Sequence, residues 1–135
     1  MKILAVITVL ALSTITFSAY AQKTSFDLKA SIARGGEVYL YYCTTCHQEK
    51  GEGIETVYPP LAKSDYLMAD KKRSITVTLK GLTGEIKVNG HTYNGEMTST
   101  DLTDEEVSDV LNYVRNSFGN KGEAVKPEEV KALRN

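Results

Sequence analysis

The sequence predicts a mainly α-helical domain with one small β-hairpin, and three patterns support this prediction. Apolar and small residues recur every three or four positions over residues 31–46 and again over 103–118, the spacing of one helix face. Between these two patterns, residues 86–93 form two short alternating segments around Asn89-Gly90. Asn-Gly is favoured in tight type I′ hairpin turns because both residues accept positive φ.

The two long helical patterns define the expected core. In the first, Gly35 has no side chain and permits another helix to approach closely. Its inward face is predicted at Ile32, Gly35, Tyr39, Tyr42 and Cys46. The second begins with a capping box of Thr103 and Glu106. Its buried stripe is predicted at Val107, Val110, Leu111, Val114 and Phe118, and its acidic residues, Asp109 included, are expected on the surface.

Two shorter helices are expected between these patterns. Ser64–Met68 fits one helical turn, and Lys71–Lys80 fits a longer helix capped by Asp70. Gly81 and Gly84 are predicted to end that longer helix.

The N-terminal stretch Met1–Ala21 has the layout of a secretory signal peptide. Lys2 precedes an apolar run from Ile3 to Leu12, and Ala19-Tyr20-Ala21 fits a signal-peptidase site. The apolar run is short for a membrane span of about 20 residues. We therefore expect cleavage after Ala21 and no stable membrane anchor.

The rest of the chain is divided into three parts by its composition. We expect a flexible leader over 22–30, one folded domain over 31–120, and a C-terminal tail over 121–135. Pro127 suits the first turn of a short helix in that tail. The 135 residues contain 16 Lys and Arg against 17 Asp and Glu, so the basic footprint of a nucleic-acid-binding protein is missing.

The chemistry centres on Cys43-Thr44-Thr45-Cys46-His47. C-x-x-C-H is the attachment sequence for a c-type haem. The two thiols add across the two vinyl groups at one haem edge, and the adjacent histidine supplies the proximal ligand to iron. The motif therefore predicts one haem c, bound covalently through Cys43 and Cys46 and ligated by His47.

Three other uses of a cysteine pair fit the sequence less well. A thioredoxin-like redox site lies at the start of a helix beside a βαβ sheet, whereas this pair ends a helix. A structural zinc site needs four ligands, and only His47 and His91 accompany the two cysteines. A plain disulfide gives His47 no role.

The second axial ligand decides what such a haem does. Met68, His91 and Met97 are the candidates in the mature chain. Met68 also suits a core position, and His91 also suits a solvated turn. We favour Met97, because it follows Gly95 in a segment predicted as a flexible loop, which can bring its thioether over the haem face. A methionine ligand would raise the reduction potential relative to histidine.

With these motifs in place, the chain resembles the class I c-type cytochromes over about residues 32–120. Gly35-x-x-x-Tyr39-x-x-x-Cys43 is similar to their N-terminal helix, and Leu111–Val114 is similar to their C-terminal helix, whose aromatic residue packs across the glycine. Pro59-Pro60-Leu61 resembles their P-x-L segment. The resemblance implies the class I cytochrome c fold, with the Pro59 carbonyl accepting the proton on the far nitrogen of His47.

The strings PPLAKSDYL, KVNGHTYNGEM and VLNYVRNSFGN are similar to a narrower group. This group comprises small bacterial cytochromes and cytochrome domains associated with copper nitrite reductases, terminal oxidases and quinoprotein dehydrogenases. The resemblance implies that Met97 is the axial ligand. The chain departs from this group at Thr98, where proline is usual, and at Phe118, where tryptophan is frequent.

Together these features predict a periplasmic single-electron carrier rather than an enzyme. Its expected partners are a periplasmic reductase, a terminal oxidase or a dehydrogenase. Besides the ligands and Pro59, we expect haem contacts from Leu61, Tyr66 and Leu67. Two alternatives stay open: a gas-binding or catalytic haem protein in which Met97 dissociates beside Thr98, and a fixed subunit of a larger complex. The basic cluster of Lys63, Lys71, Lys72 and Arg73 is either a solvated helix end or a surface that steers an acidic partner.

Overall fold

The computed structural model describes residues 25–134, and this part of the chain folds into six helices and a two-stranded antiparallel sheet. The predicted signal peptide, residues 1–21, lies outside the described residues. The helices are α1 Leu28–Tyr42, α2 Thr44–His47, α3 Asp65–Ala69, α4 Lys71–Lys80, α5 Asp104–Val114 and α6 Pro127–Arg134, and the strands are β1 Leu82–Val88 and β2 His91–Met97. The fold class predicted from the sequence is confirmed.

Helix α1 begins earlier than predicted. Asp27 caps it, with a side-chain oxygen accepting from the Ala30 N–H at 3.0 Å, so residues 28–30 of the predicted leader are helical. Its buried stripe runs through Ser31, Gly35 and Tyr39 at a spacing of four. The inward position predicted for Tyr42 is wrong: its side chain is 52% exposed, because Cys43 continues the stripe toward the core.

Helices α1 and α5 cross at Gly35. A Cβ atom at Gly35 would lie 1.9 Å from the Asp109 carbonyl oxygen, so only glycine permits this approach. Tyr113 packs beside the crossing, 3.3 Å from a Cβ built at Gly36. The expected surface position of Asp109 is wrong. Its side chain is buried and accepts from the Ser31 hydroxyl at 2.5 Å and the Arg34 Nε at 2.6 Å, because it faces α1 at the crossing.

Helix α5 starts at the predicted capping box of Thr103 and Glu106 but ends four residues early, at Val114. The Asn120 side-chain amide donates to the Val114 carbonyl at 2.7 Å, which stabilises this end. Phe118 is therefore not on the helix stripe, as predicted, but in a turn with φ of 56°. Its ring still enters the core, 5.3 Å from the Tyr39 ring centroid and 5.5 Å from that of Tyr113.

The C-terminal segment packs on the rest of the fold. Val125 and Val130 are fully buried, and α6 lies against α4 and α5. The Asn112 side chain joins both parts, donating to the Val125 carbonyl and accepting from the Val125 N–H, each at 2.7 Å. The short helix expected after Pro127 is present, and its apolar side completes the core.

The hairpin turns at Asn89-Gly90 as predicted, with φ of 52° and 83°. Its ladder is longer than expected and pairs Leu82 with Met97 at the base. Gly84 therefore lies inside β1 opposite Gly95 and does not end α4. Met97 is the last residue of β2 rather than part of a loop, because the ladder continues through the paired glycines. Among residues 25–134, no helix is long and apolar enough to cross a membrane.

Candidate functional site

The C-T-T-C-H segment occupies one helical turn at the end of α1. The Cys43 N–H completes α1 by donating to the Tyr39 carbonyl at 2.9 Å, and the Cys43 carbonyl accepts from the His47 N–H at 2.9 Å to begin α2. Both thiols are unbonded. Two thiols and an imidazole therefore lie within a single turn, whose backbone is held by these hydrogen bonds.

Burial changes the acid–base properties of these groups. It raises the pKa of the Cys43 thiol to about 11, with a smaller contribution from the neighbouring Cys46. The thiol is therefore protonated at neutral pH. Burial also lowers the pKa of His47, against a smaller opposing effect of its hydrogen bond to Pro59. The imidazole is thus neutral near pH 7, as a metal ligand must be.

The orientation of His47 is fixed by a backbone carbonyl. Nδ1 lies 3.0 Å from the Pro59 carbonyl oxygen. A carbonyl only accepts, so Nδ1 carries the proton and donates it. The lone pair is then on Nε2, which is left to bind a metal. This is the hydrogen bond that the P-x-L resemblance implies.

The loop between His47 and Leu61 folds back on itself to bring Pro59 to this position. The Gly53 N–H donates to the His47 carbonyl at 3.0 Å, and the Gly51 carbonyl accepts from the Leu61 N–H at 2.7 Å. A Cβ at Gly53 would lie 2.3 Å from the Tyr58 carbonyl oxygen, and φ there is +67°. Glycine is therefore required for the loop to return.

Two residues outside the loop hold its ends. The Tyr39 hydroxyl donates to the Gln48 carbonyl at 2.6 Å, directly after His47. The Asn120 amide donates to the Leu61 carbonyl at 2.7 Å, at the far end. Neither role was predicted, because each joins positions whose proximity depends on the helix packing.

Leu61, Tyr66 and Leu67 occupy three different surroundings. Leu61 is half-buried against the core, and Leu67 is buried within it. One face of the Tyr66 ring is covered by the Arg73 guanidinium, 3.8 Å from the ring centroid, which leaves only the other face to a ligand. Their contact with a haem stays a prediction.

Met97 lies half-buried at the base of the hairpin. Its backbone oxygen would be 2.5 Å from a Cβ at Gly81, so the strand end lies close against the end of α4. Two residues before Met97, β2 passes the loop that follows His47: a Cβ built at Gly95 would be 3.6 Å from the Val57 carbonyl oxygen. The other candidates lie elsewhere, Met68 half-buried against the core and His91 exposed beside the hairpin turn.

The hairpin is fastened at both ends. At its tip, the Asn89 N–H donates to the Asp65 carboxylate at 2.8 Å, and the Asp65 N–H donates to the Asn89 side chain at 3.0 Å. Just beyond its base, the Thr100 hydroxyl donates to the Thr78 carbonyl at 2.9 Å. Inward-facing Val88 and Tyr93 are buried between these points. The position of Met97 therefore depends on contacts with α3 and α4.

The donor set fits a covalently bound haem. Cys43 and Cys46 have the spacing that two vinyl groups require, and Nε2 of His47 is free for iron. Ile54 and Val57, in the loop that follows His47, present apolar side chains that are 41% and 51% exposed. Such side chains suit the walls of an apolar macrocycle attached next to them.

Most of the basic cluster is engaged in contacts within the chain. The Lys71 ammonium lies 2.6 Å from the Glu129 carboxylate on α6, and Arg73 covers Tyr66. The Lys63 side chain lies over Gly119. These contacts within the chain count against a surface that steers an acidic partner.

Comparison with known proteins agrees with this chemistry. The family described as Cytochrome c matches residues 32–118. Cytochrome c-552 of Thermus thermophilus is 42% identical over 112 residues, covering 76% of this chain and 85% of that protein. The cytochrome c subunit of the quinone alcohol dehydrogenase of Gluconobacter oxydans is 29% identical over 103 residues, covering 74% of this chain but only 22% of that subunit.

Proposed function

This chain belongs to the cytochrome c family, and on that basis we propose that it is a periplasmic single-electron carrier with one covalent haem. The family and the cytochrome c-552 relatives support a haem protein that carries electrons. The observation that carries the finer proposal is the single helical turn that presents Cys43, Cys46 and His47. The Pro59 carbonyl holds Nδ1 of that histidine at 3.0 Å, which leaves Nε2 for iron.

One haem follows from the cysteine content. The chain has two cysteines, and both belong to the same C-x-x-C-H sequence. Each forms one thioether bond, so they attach one macrocycle. When bound, the haem iron supplies a ferric–ferrous couple that accepts and releases one electron.

His47 and Met97 are the proposed axial ligands. Both are neutral donors, and the hydrogen bond from Nδ1 to Pro59 makes the imidazole more electron-donating. The hairpin would supply the Met97 thioether as the second protein ligand, since β2 passes the loop that follows His47. A protein ligand at each axial position closes the iron to small molecules and favours electron transfer over catalysis.

Export is proposed from the sequence of Met1–Ala21, which has the layout of a cleaved signal peptide. The expected partners are a periplasmic dehydrogenase, reductase or terminal oxidase. The likeness to a subunit of a quinone alcohol dehydrogenase supports the first of these classes.

The proposal is tested on full-length chain expressed in a bacterial host that matures c-type cytochromes. Intact mass spectrometry of the periplasmic fraction should give the chain cleaved after Ala21 plus one haem. A potentiometric titration followed in the visible spectrum should give a single one-electron wave. A protein recovered without covalent haem, or a haem that takes up no electron from a chemical reductant, would overturn the proposal.

A further inference from the structure

The last turn of α1 carries three large apolar side chains in succession that stay in solvent. Leu40, Tyr41 and Tyr42 are 61%, 84% and 52% exposed. The rings of the two tyrosines lie against each other, with centroids 5.3 Å apart. We call these three residues the tyrosine face. Adjacent exposed apolar side chains of this size are a candidate contact site for another molecule.

The tyrosine face adjoins the proposed haem attachment. Tyr42 directly precedes Cys43, whose thioether bond would bring one edge of the haem to this end of α1. A partner seated on the tyrosine face would therefore lie close to the attached haem edge.

Acidic residues flank the tyrosine face on both sides in the sequence. From Glu37, one turn before Tyr41, to Tyr58 the chain has one exposed lysine, Lys50, against four exposed carboxylates. We call these carboxylates the acidic rim; they are Glu37, Glu49, Glu52 and Glu55. The loop carrying the last three is tied to the haem-attachment turn through the hydrogen bond from the Gly53 N–H to the His47 carbonyl.

The negative charge of the acidic rim indicates which kind of molecule would bind to the tyrosine face. Resting on the proposed electron-carrier function, we propose that the tyrosine face docks a redox-partner protein whose own docking patch is apolar at its centre and rimmed by lysine and arginine. A second copy of this chain is disfavoured, because a two-fold contact would place the acidic rim against itself. An anionic membrane surface is disfavoured for the same reason of like charge.

A pair of matched protein probes tests this proposal. The probe is a blue-copper protein with an apolar copper edge, engineered in one version with four lysines and in another with four glutamates around that edge. Stopped-flow mixing with the reduced holoprotein gives a second-order rate constant for each version. At low salt the lysine version should react at least about tenfold faster, and added salt should reduce the difference.

Variants of the tyrosine face separate apolar docking from charge. Replacing Tyr41 and Tyr42 together by serine should slow the lysine probe by about tenfold, the effect of losing two buried aromatic contacts. The double phenylalanine variant keeps the rings and should react like the native protein. Tyr41→Ser alone, at the most exposed position, serves if the double variant matures poorly.

Variants of the acidic rim test the second half of the proposal. Glu37→Gln with Glu49→Gln should slow the lysine probe and speed the glutamate probe, each by a few-fold. Glu128→Gln on the distant helix α6 is the matched control and should change neither rate. A loss of rate with both probes alike would contradict the role of charge.

The results of these experiments distinguish failure of the docking surface from failure of the electron-carrier function. Native rates in the serine variants, with full haem content, would overturn the docking surface and leave the carrier function intact. A holoprotein that exchanges electrons with neither probe nor a chemical oxidant would overturn both proposals. A dimer in sedimentation velocity that the serine variants abolish would assign the face to a second copy. Binding to phosphatidylglycerol-containing vesicles that the serine variants abolish would assign it to a membrane, and either result overturns the proposal.

Discussion

Residues 43–62 and the hairpin of residues 82–97 carry the two proposed iron ligands, but they are held in place differently. In 43–62, called here the attachment segment, the chain folds back on itself, and His47 is fixed by Pro59, twelve positions later. The hairpin has a regular ladder, and Met97 is positioned by contacts with α3 and α4 at the tip and base.

The two proposed ligands therefore depend on different parts of the chain. The attachment segment holds His47 through its own Pro59 and is crowded at Gly53, so it tolerates little change and should keep its geometry. The hairpin can shift on its distant fastenings while the haem stays attached through Cys43 and Cys46. We therefore expect perturbations of the attachment segment to remove the cofactor or unfold the protein, and perturbations of the hairpin to open the iron.

The largest contrast is expected between the cysteines and the methionine. Cys43→Ser combined with Cys46→Ser removes both thioether bonds, so covalent haem should be lost. Met97→Ala should keep the full covalent haem, because neither thiol is affected. Mass spectrometry of the denatured proteins measures this directly, and covalent haem missing from Met97→Ala would contradict the division between the regions.

Substitutions at two glycines with positive φ compare how crowded the attachment segment and the hairpin are. Gly53→Ala combines backbone strain with a Cβ 2.3 Å from the Tyr58 carbonyl oxygen, and we expect a loss of about 3 kcal/mol in the free energy of unfolding. Gly84→Ala, in the hairpin, has strain but nothing within 4 Å of the new Cβ. It should lose about 1 kcal/mol. Denaturant unfolding of both holoproteins gives the two values, and equal losses would show that the hairpin is as crowded as the attachment segment.

A smaller effect is expected at the hairpin tip. Asp65→Ala removes the carboxylate that accepts from the Asn89 N–H and should lower the free energy of unfolding by about 1 kcal/mol. It should also increase the affinity of the ferric protein for added imidazole, because the hairpin then releases Met97 more easily. Glu85→Ala, exposed on β1, is the control. Unchanged imidazole affinity in Asp65→Ala would show that the tip does not hold the ligand.

The smallest expected effect is on how the free energy of unfolding changes at acidic pH. Asp70 caps α4, the helix that leads into the hairpin, and hydrogen bonding to the Arg73 N–H lowers its pKa below the ordinary 3.8. The stabilisation is therefore complete above that ordinary pKa and is lost as the pH falls through the lower folded pKa. Asp70→Asn keeps a capping side chain without the titration. The difference in unfolding free energy between native and variant should shrink as the pH is lowered, and a difference that grows would reverse the predicted sign.

Local chemistry explains what the sequence predicted of the fold. Asp70 caps α4, Thr103 and Glu106 form the capping box of α5, and Asn89-Gly90 makes the turn. Each of these features depends on residues within a few positions of one another. The sequence was therefore sufficient to place them.

Tertiary packing explains what the sequence did not predict. Asp109 is buried because α1 brings Ser31 and Arg34 to it from more than seventy positions away. Helix α5 ends early because Asn120 caps it, and the hairpin extends to Met97 because its ladder continues through facing glycines. None of these arrangements has a pattern within a short window of sequence.

The same division applies to the candidate site. The turn of Cys43, Cys46 and His47 is local, and the motif was sufficient to identify it. The bonds from Tyr39 and Asn120 that hold the ends of the surrounding loop depend on the packed fold. The ligand role of Met97 rests on the resemblance and on the path of β2, and it stays a prediction.

The visible spectrum of the reduced, periplasmically matured protein, recorded before and after carbon monoxide is added, shows whether His47 and Met97 together close the iron. If His47 and Met97 both bind the iron, the native bands stay unchanged, while those of Met97→Ala shift. A shift of the native bands equal to that of Met97→Ala would show that the iron is open and would contradict the electron-carrier account.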